Sequence, residues 1–128
     1  MTVLIVDDSP VMRTFVRRVM RLAGFGDAEY VEASDGCEGL RHVQSGRVDL
    51  VLTDINMPNM NGEEFLESLH ASDVLRSIPA LVISTDATRD RMARMMALGA
   101  RGYIAKPFSP EALRDEVERA LGGGDERS

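Results

Sequence analysis

Five short apolar runs alternate with five helical patterns along 128 residues, and this alternation limits the chain's fold more than any other feature. The strand candidates are Val3–Val6, Glu29–Ala33, Val48–Thr53, Ala80–Ser84 and Gly102–Ala105. Three of them are nearly continuous apolar runs, as expected of strands covered on both faces. Strict β–α alternation predicts an α/β domain: a doubly wound, five-stranded parallel sheet with helices on both faces and right-handed crossovers.

The helices carry their own start and stop signals. The first is expected from Pro10 to about Leu22, with Ser9 as N-cap and Pro10 at the first helical position. Met12, Phe15, Val16, Val19 and Met20 form its predicted buried stripe, with Arg13, Arg17 and Arg21 outside. The second runs from about Gly36 to Gln44, and the third begins after Asn61-Gly62. The fourth spans Thr88 to Leu98, with Gly99 as a left-handed stop. The fifth opens on Ser109-Pro110 and fades into Gly122–Gly124. One domain over residues 1–122 and a loose tail over 123–128 are expected.

Composition excludes several classes of function. A net charge of −6 argues against non-specific nucleic-acid binding and polybasic membrane contact. No apolar stretch approaches the ~18 residues of a membrane span. Asp7 and Asp8 interrupt the only early apolar run, so no signal peptide is read there and a soluble cytoplasmic protein is expected. The lone Cys37 excludes an internal disulfide and a cysteine zinc cluster.

Chemistry gathers at the strand ends. In an open parallel sheet, ligands bind beyond the carboxyl ends of the strands where strand order reverses. Asp7 and Asp8 follow the first strand and Asp54 the third. In the order 2-1-3-4-5 those strands flank the reversal, and three carboxylates share one crevice. They would repel one another unless a hard divalent cation joined them. Neither His nor Cys accompanies them, which favours Mg²⁺, with Mn²⁺ as an alternative, over zinc. The fourth strand closes in Ser84-Thr85, and the fifth leads to Lys106, the single Lys among fifteen Lys and Arg residues. A compact ammonium, a cation and a hydroxyl are suited to holding a phosphoryl group, and a carboxylate can act as nucleophile toward one. Asp54, flanked by the acids on one side and Ser84 with Lys106 on the other, is the predicted nucleophile.

The stretches VDDSPVMR, LTDINMPNMNGEEFL, LVISTDA and GYIAKPF, in this order and spacing, resemble the response-regulator receiver domain, notably its single-domain CheY-like form with a flavodoxin-like fold. The resemblance implies that Asp54 accepts phosphate from a histidine kinase. It implies that Asp8, Asp54 and the Asn56 main-chain carbonyl bind Mg²⁺, with Asp7 acting mainly through water. Lys106 would contact the phosphoryl oxygens and Asp54, Ser84 and Tyr103 would form the switch, and Lys106-Pro107 would be cis. Asn56 and Asp86 would tune dephosphorylation. The output face would lie on the fourth helix, fifth strand and fifth helix, with Arg91, Met95 and Tyr103 as contacts, and Met92 and Met96 as core. Arg13 and Arg17 are read as solvated, or as guides for a kinase or phosphatase.

The expected role is thus a phosphorylation-controlled binding module rather than an enzyme acting on a separate substrate. It would be monomeric and act through another protein, such as a flagellar motor switch in chemotaxis. A phosphorelay intermediate and a receiver portion of a larger transcription regulator remain open. A haloacid-dehalogenase-type phosphohydrolase is disfavoured: that family usually places a second Asp where Asn56 stands, and adds a cap domain for which there is no room.

Overall fold

The computed structural model describes residues 1–122; the tail expected at 123–128 lies outside the described residues. The elements, in chain order, are β1 (Thr2–Val6), α1 (Pro10–Met20), β2 (Glu29–Ala33), α2 (Gly36–Gln44), β3 (Leu50–Thr53), α3 (Gly62–Ala71), β4 (Ala80–Ser84), α4 (Arg89–Ala97), β5 (Gly102–Ala105) and α5 (Pro110–Leu121). A π-type turn, Arg21–Phe25, follows α1, and a 3₁₀ turn, Leu75–Ser77, precedes β4. The strands form one parallel sheet in the order β2-β1-β3-β4-β5.

The apolar runs are buried on both faces because successive side chains point opposite ways. Leu4, Val6, Val51 and Val82 face a core completed by Val43, Phe65, Leu66, Leu69 and Met95, so α2, α3 and α4 cover that side. Val3, Ile5, Leu50, Leu52, Leu81 and Ile83 face Val16, Val19, Met20, Leu113, Val117 and Ala120 of α1 and α5 on the other.

Side-chain caps fix the helix starts. Ser9 accepts from Met12 N at 3.2 Å and Ser109 from Ala112 N at 3.1 Å, each before a proline. Asn61 and Glu64 form a reciprocal capping box with both bonds at 2.9 Å. Such caps contribute about 1 kcal/mol each. Gly99, at φ 109°, ends the fourth helical segment in the left-handed conformation expected of it.

Three expectations need correction. β3 begins at Leu50 rather than Val48, since the Asp49 carboxylate takes the Thr2 N–H at 2.8 Å ahead of the ladder. Phe15 is 44 % exposed and lies edge-on to Phe108, with ring centroids 5.9 Å apart, instead of joining the core. The phase of α4 is also different: Met95 is fully buried, while Met92 and Met96 are exposed. Its inward stripe is Arg91, Met95 and Leu98, at i, i+4 and i+7, so Met95 cannot serve as a partner contact.

Candidate functional site

Asp7, Asp54 and Lys106 are each the first residue beyond a strand, and each is held by one further ladder bond. Asp7 N donates to Ala33 O at 3.0 Å, Asp54 N to Val6 O at 2.9 Å and Lys106 N to Ser84 O at 2.8 Å. Sheet pairing therefore brings together residues far apart in sequence. Asp7, Asp8 and Asp54 each bring one carboxylate oxygen within 4.8 Å of the others.

Their surroundings differ. Asp7 is buried and Asp8 exposed, with Asp54 between. Asp7 Oδ1 accepts from Ser9 N at 2.9 Å, and Asp7 Oδ2 lies 3.7 Å from Lys106 Nζ. Burial pushes the Asp7 carboxyl above its ordinary value, against the lowering effect of the Ser9 N–H; the Asp54 carboxylate adds to the rise. Asp54 Oδ1 accepts from Ile55 N at 2.8 Å, which orients the carboxylate. Lys106 was expected to contact Asp54, but among the described residues its ion pair is with Asp7.

The donor set fits a hard cation. All three side chains offer oxygen, the ions are close enough to repel, and one of them is driven toward protonation by burial. A divalent cation would relieve all three, and oxygen-only coordination suits Mg²⁺ or Mn²⁺. Asn56 is exposed in the loop directly after Asp54. That loop passes close to α3 at Gly62, where a Cβ would lie 2.8 Å from Ile55 Cα.

Ser84 is buried at the end of β4, and its hydroxyl accepts from Asp86 N at 3.1 Å. Tyr103 is half-buried, and its hydroxyl donates to the Asp86 carbonyl. Burial pushes the tyrosine hydroxyl up, against a hydrogen-bonding contact with the Ser84 side chain. Asp86 accepts from Thr88 N and Oγ1 at 3.1 and 2.8 Å, which hold its carboxyl below the usual range. Ser84, Asp86 and Tyr103 thus form one connected group beside the acids. The Lys106-Pro107 bond is cis, as expected.

The arginines were misjudged. Arg91 is not a free surface contact: it pairs with Glu63 of α3 and with Asp86 at 3.4 Å. Arg13 and Arg17 are only partly exposed and both pair with Glu32 of β2, and Arg13 Nη1 also donates to the Asp7 carbonyl at 2.6 Å. Two glutamates in the five residues of β2, Glu29 and Glu32, beside an α1 with arginines at i and i+4, were the available signal. A second link has no periodic signal in the sequence: Asp35, the N-cap of α2, accepts from Asn59 Nδ2 at 2.7 Å.

Fold and pocket together define a doubly wound α/β domain with an acidic, lysine-facing crevice at its switch point. The chain belongs to the response regulator receiver domain family, whose model matches residues 3–118. It is 35 % identical over 119 residues to the chemotaxis protein CheY of Pseudomonas aeruginosa, covering 93 % of this chain and 94 % of that one. The solved chemotaxis response regulator CheY4 of Vibrio cholerae superposes with a TM-score of 0.82 at 35 % identity, covering 94 % of this chain and 98 % of that one. The receiver domain of a signal transduction histidine kinase from Syntrophus aciditrophicus does so with 0.82 at 28 %, covering 99 % and 93 %. No helix among the described residues is long and apolar enough to cross a membrane.

Proposed function

We propose that this receiver domain takes a phosphoryl group from a histidine kinase onto Asp54, with Mg²⁺ held by Asp7, Asp8, Asp54 and the Asn56 main-chain carbonyl. The observation that carries this reading is the convergence of the Asp7, Asp8 and Asp54 oxygens within 4.8 Å, with the Lys106 ammonium alongside. When bound, the cation supplies positive charge against the phosphoryl oxygens. An Asp54 oxygen attacks phosphorus, the P–O bond forms and the P–N bond to the donor imidazole breaks. The imidazole leaves with the electron pair and departs neutral once its other nitrogen carries a proton. Lys106 turns from Asp7 to the phosphoryl oxygens.

Switching follows from the Ser84 group. A Ser84 hydroxyl drawn to the phosphoryl group gives up its bond from Asp86 N. The β4–α4 loop, tied through Asp86 to Tyr103 and Arg91, then repacks, and the α4–β5–α5 face changes for a partner. Met92 and Met96, rather than Met95, supply exposed apolar surface on α4. Asn56 and Asp86 stand where they can set the lifetime of the adduct, with or without a phosphatase. The names of the CheY relatives support a chemotaxis output, such as binding by the monomer to a flagellar motor switch. Likeness to a receiver domain from a histidine kinase favours a phosphorelay as the second reading.

Incubation with acetyl phosphate and Mg²⁺, followed by intact-mass measurement, tests the proposal. One phosphoryl gain is expected, absent with EDTA and absent in Asp54→Asn. A gain that persists in that variant would overturn the assignment of Asp54.

A further inference from the structure

The loop 54–61 has neither strand nor helix to hold it, yet it carries Asp54 and Asn56. Its far half is docked on the β2–α2 turn. Gly36 N donates to Met60 O at 2.9 Å, and Asn59 Nδ2 donates to Asp35 Oδ2 at 2.7 Å. Asp35 is only 9 % exposed, and its Oδ1 accepts from Glu38 N at 2.8 Å. Each carboxylate oxygen therefore has a donor, and the bond from Asn59 is charge-assisted. The Asn59 amide and the Glu38 N–H hold the Asp35 carboxyl below its usual range, in keeping with a charged group.

Two local features permit this docking. Asn59 has φ 65°, a left-handed conformation that asparagine and glycine tolerate best. Gly36 lets the chains approach: a Cβ there would lie 2.7 Å from Met60 Cγ and 2.9 Å from Met60 O. The near end of the loop is tied by Asp54 N to Val6 O at 2.9 Å and by Gly62 N to Ile55 O at 2.7 Å. Asn56 lies between the two sets of ties, with its own side chain exposed.

We infer that Asp35 and Asn59 are positioning residues: their bond holds the loop so that the Asn56 carbonyl stays at the acid cluster. This rests on the reading that Asn56 and the three aspartates hold Mg²⁺. Without the bond the loop samples conformers with that carbonyl turned away, and cation affinity falls by the fraction of competent conformers.

The test is calorimetric titration of the full chain with Mg²⁺, below the melting range of every variant. Asn59→Gly keeps the left-handed backbone and removes the amide; binding weakens by about tenfold, the scale seen when a partner behind a metal ligand is lost. Asn59→Asp sets two carboxylates face to face and weakens binding at least as much. Asp35→Asn added to Asn59→Asp retains a good N-cap and restores a donor–acceptor pair with reversed polarity. Affinity then returns to within about twofold of the unmutated chain, as a coupled pair requires. Wild-type affinity in both single variants, or no recovery in the double variant, overturns the inference while leaving the acid site standing. No Mg²⁺ uptake by the unmutated chain overturns both.

Discussion

Replacing Asp8 with Asn should make the protein more stable without metal and much less responsive to Mg²⁺. The three carboxylate oxygens lie within 4.8 Å of one another, and the Asp8 side chain is exposed. At that distance a like-charge pair costs about 0.9 kcal/mol in a water-like dielectric and about 3.5 kcal/mol at an effective value of 20. Exposure places Asp8 near the lower figure, and physiological salt roughly halves it. Two neighbouring carboxylates then sum to roughly 1 kcal/mol of repulsion that Asp8→Asn removes. A gain of that size corresponds to about 3–6 °C in Tm for a domain of this length. Free Mg²⁺ at ten times its Kd should stabilise the unmutated chain by about 1.4 kcal/mol, and Asp8→Asn by much less. Urea unfolding followed by circular dichroism, in EDTA and in Mg²⁺, measures both quantities. If Asp8→Asn is no more stable in EDTA, or keeps the full Mg²⁺ response, the acids do not act as one site.

Other expectations follow from packing and capping. Met95→Ala should cost about 2–5 kcal/mol and Met96→Ala less than about 0.5 kcal/mol in urea unfolding, since only Met95 is buried; the reverse order would mean that the phase of α4 is wrong. Asp35 has its pKa lowered by the Asn59 amide and the Glu38 N–H, so its contribution to stability is complete above the unfolded value near 3.8 and is lost as pH falls through the lower folded value. The stability difference between the unmutated chain and Asp35→Asn should therefore be flat above about pH 5 and shrink below about pH 4, as unfolding from pH 3 to 7 would show. A difference that grows toward acid would contradict that sign. In Gly62→Ala the new Cβ would meet the Asp54 carbonyl and lie 2.8 Å from Ile55 Cα, costing about 1–3 kcal/mol and slowing phosphorylation by acetyl phosphate. An unchanged rate would show that the close approach does not position Asp54.

Most of the fold was legible because three of the strands are near-continuous apolar runs and three of the helices, α1, α3 and α5, begin on Ser-Pro or Asn-Gly signals. The acid site was legible because Asp7 and Asp54 are the first charged residues after β1 and β3, which marks the carboxyl ends of those strands even though the start of β3 was misplaced. The phase of α4 was not. Met92 with Met96 and Arg91 with Met95 both stand at i, i+4, and periodicity alone cannot choose between them. Leu98, three residues after Met95, breaks the tie once Gly99 is seen to end the helix. The arginines were misread because their partners are distant in sequence: Glu32 lies on an edge strand and Glu63 on another helix. The Asp35–Asn59 bond spans 24 residues and joins two loops, where no period operates.

The central claim is that Asp54 carries the phosphoryl group while its acidic neighbours do not. Borohydride converts an aspartyl phosphate to homoserine, so reduction after phosphorylation, followed by peptide mass mapping, locates the adduct. Homoserine in place of Asp54, with Asp7 and Asp8 unmodified and Mg²⁺ required, is the expected result. Homoserine at either of those two positions, or a phosphoryl group that survives the reduction, would contradict the account.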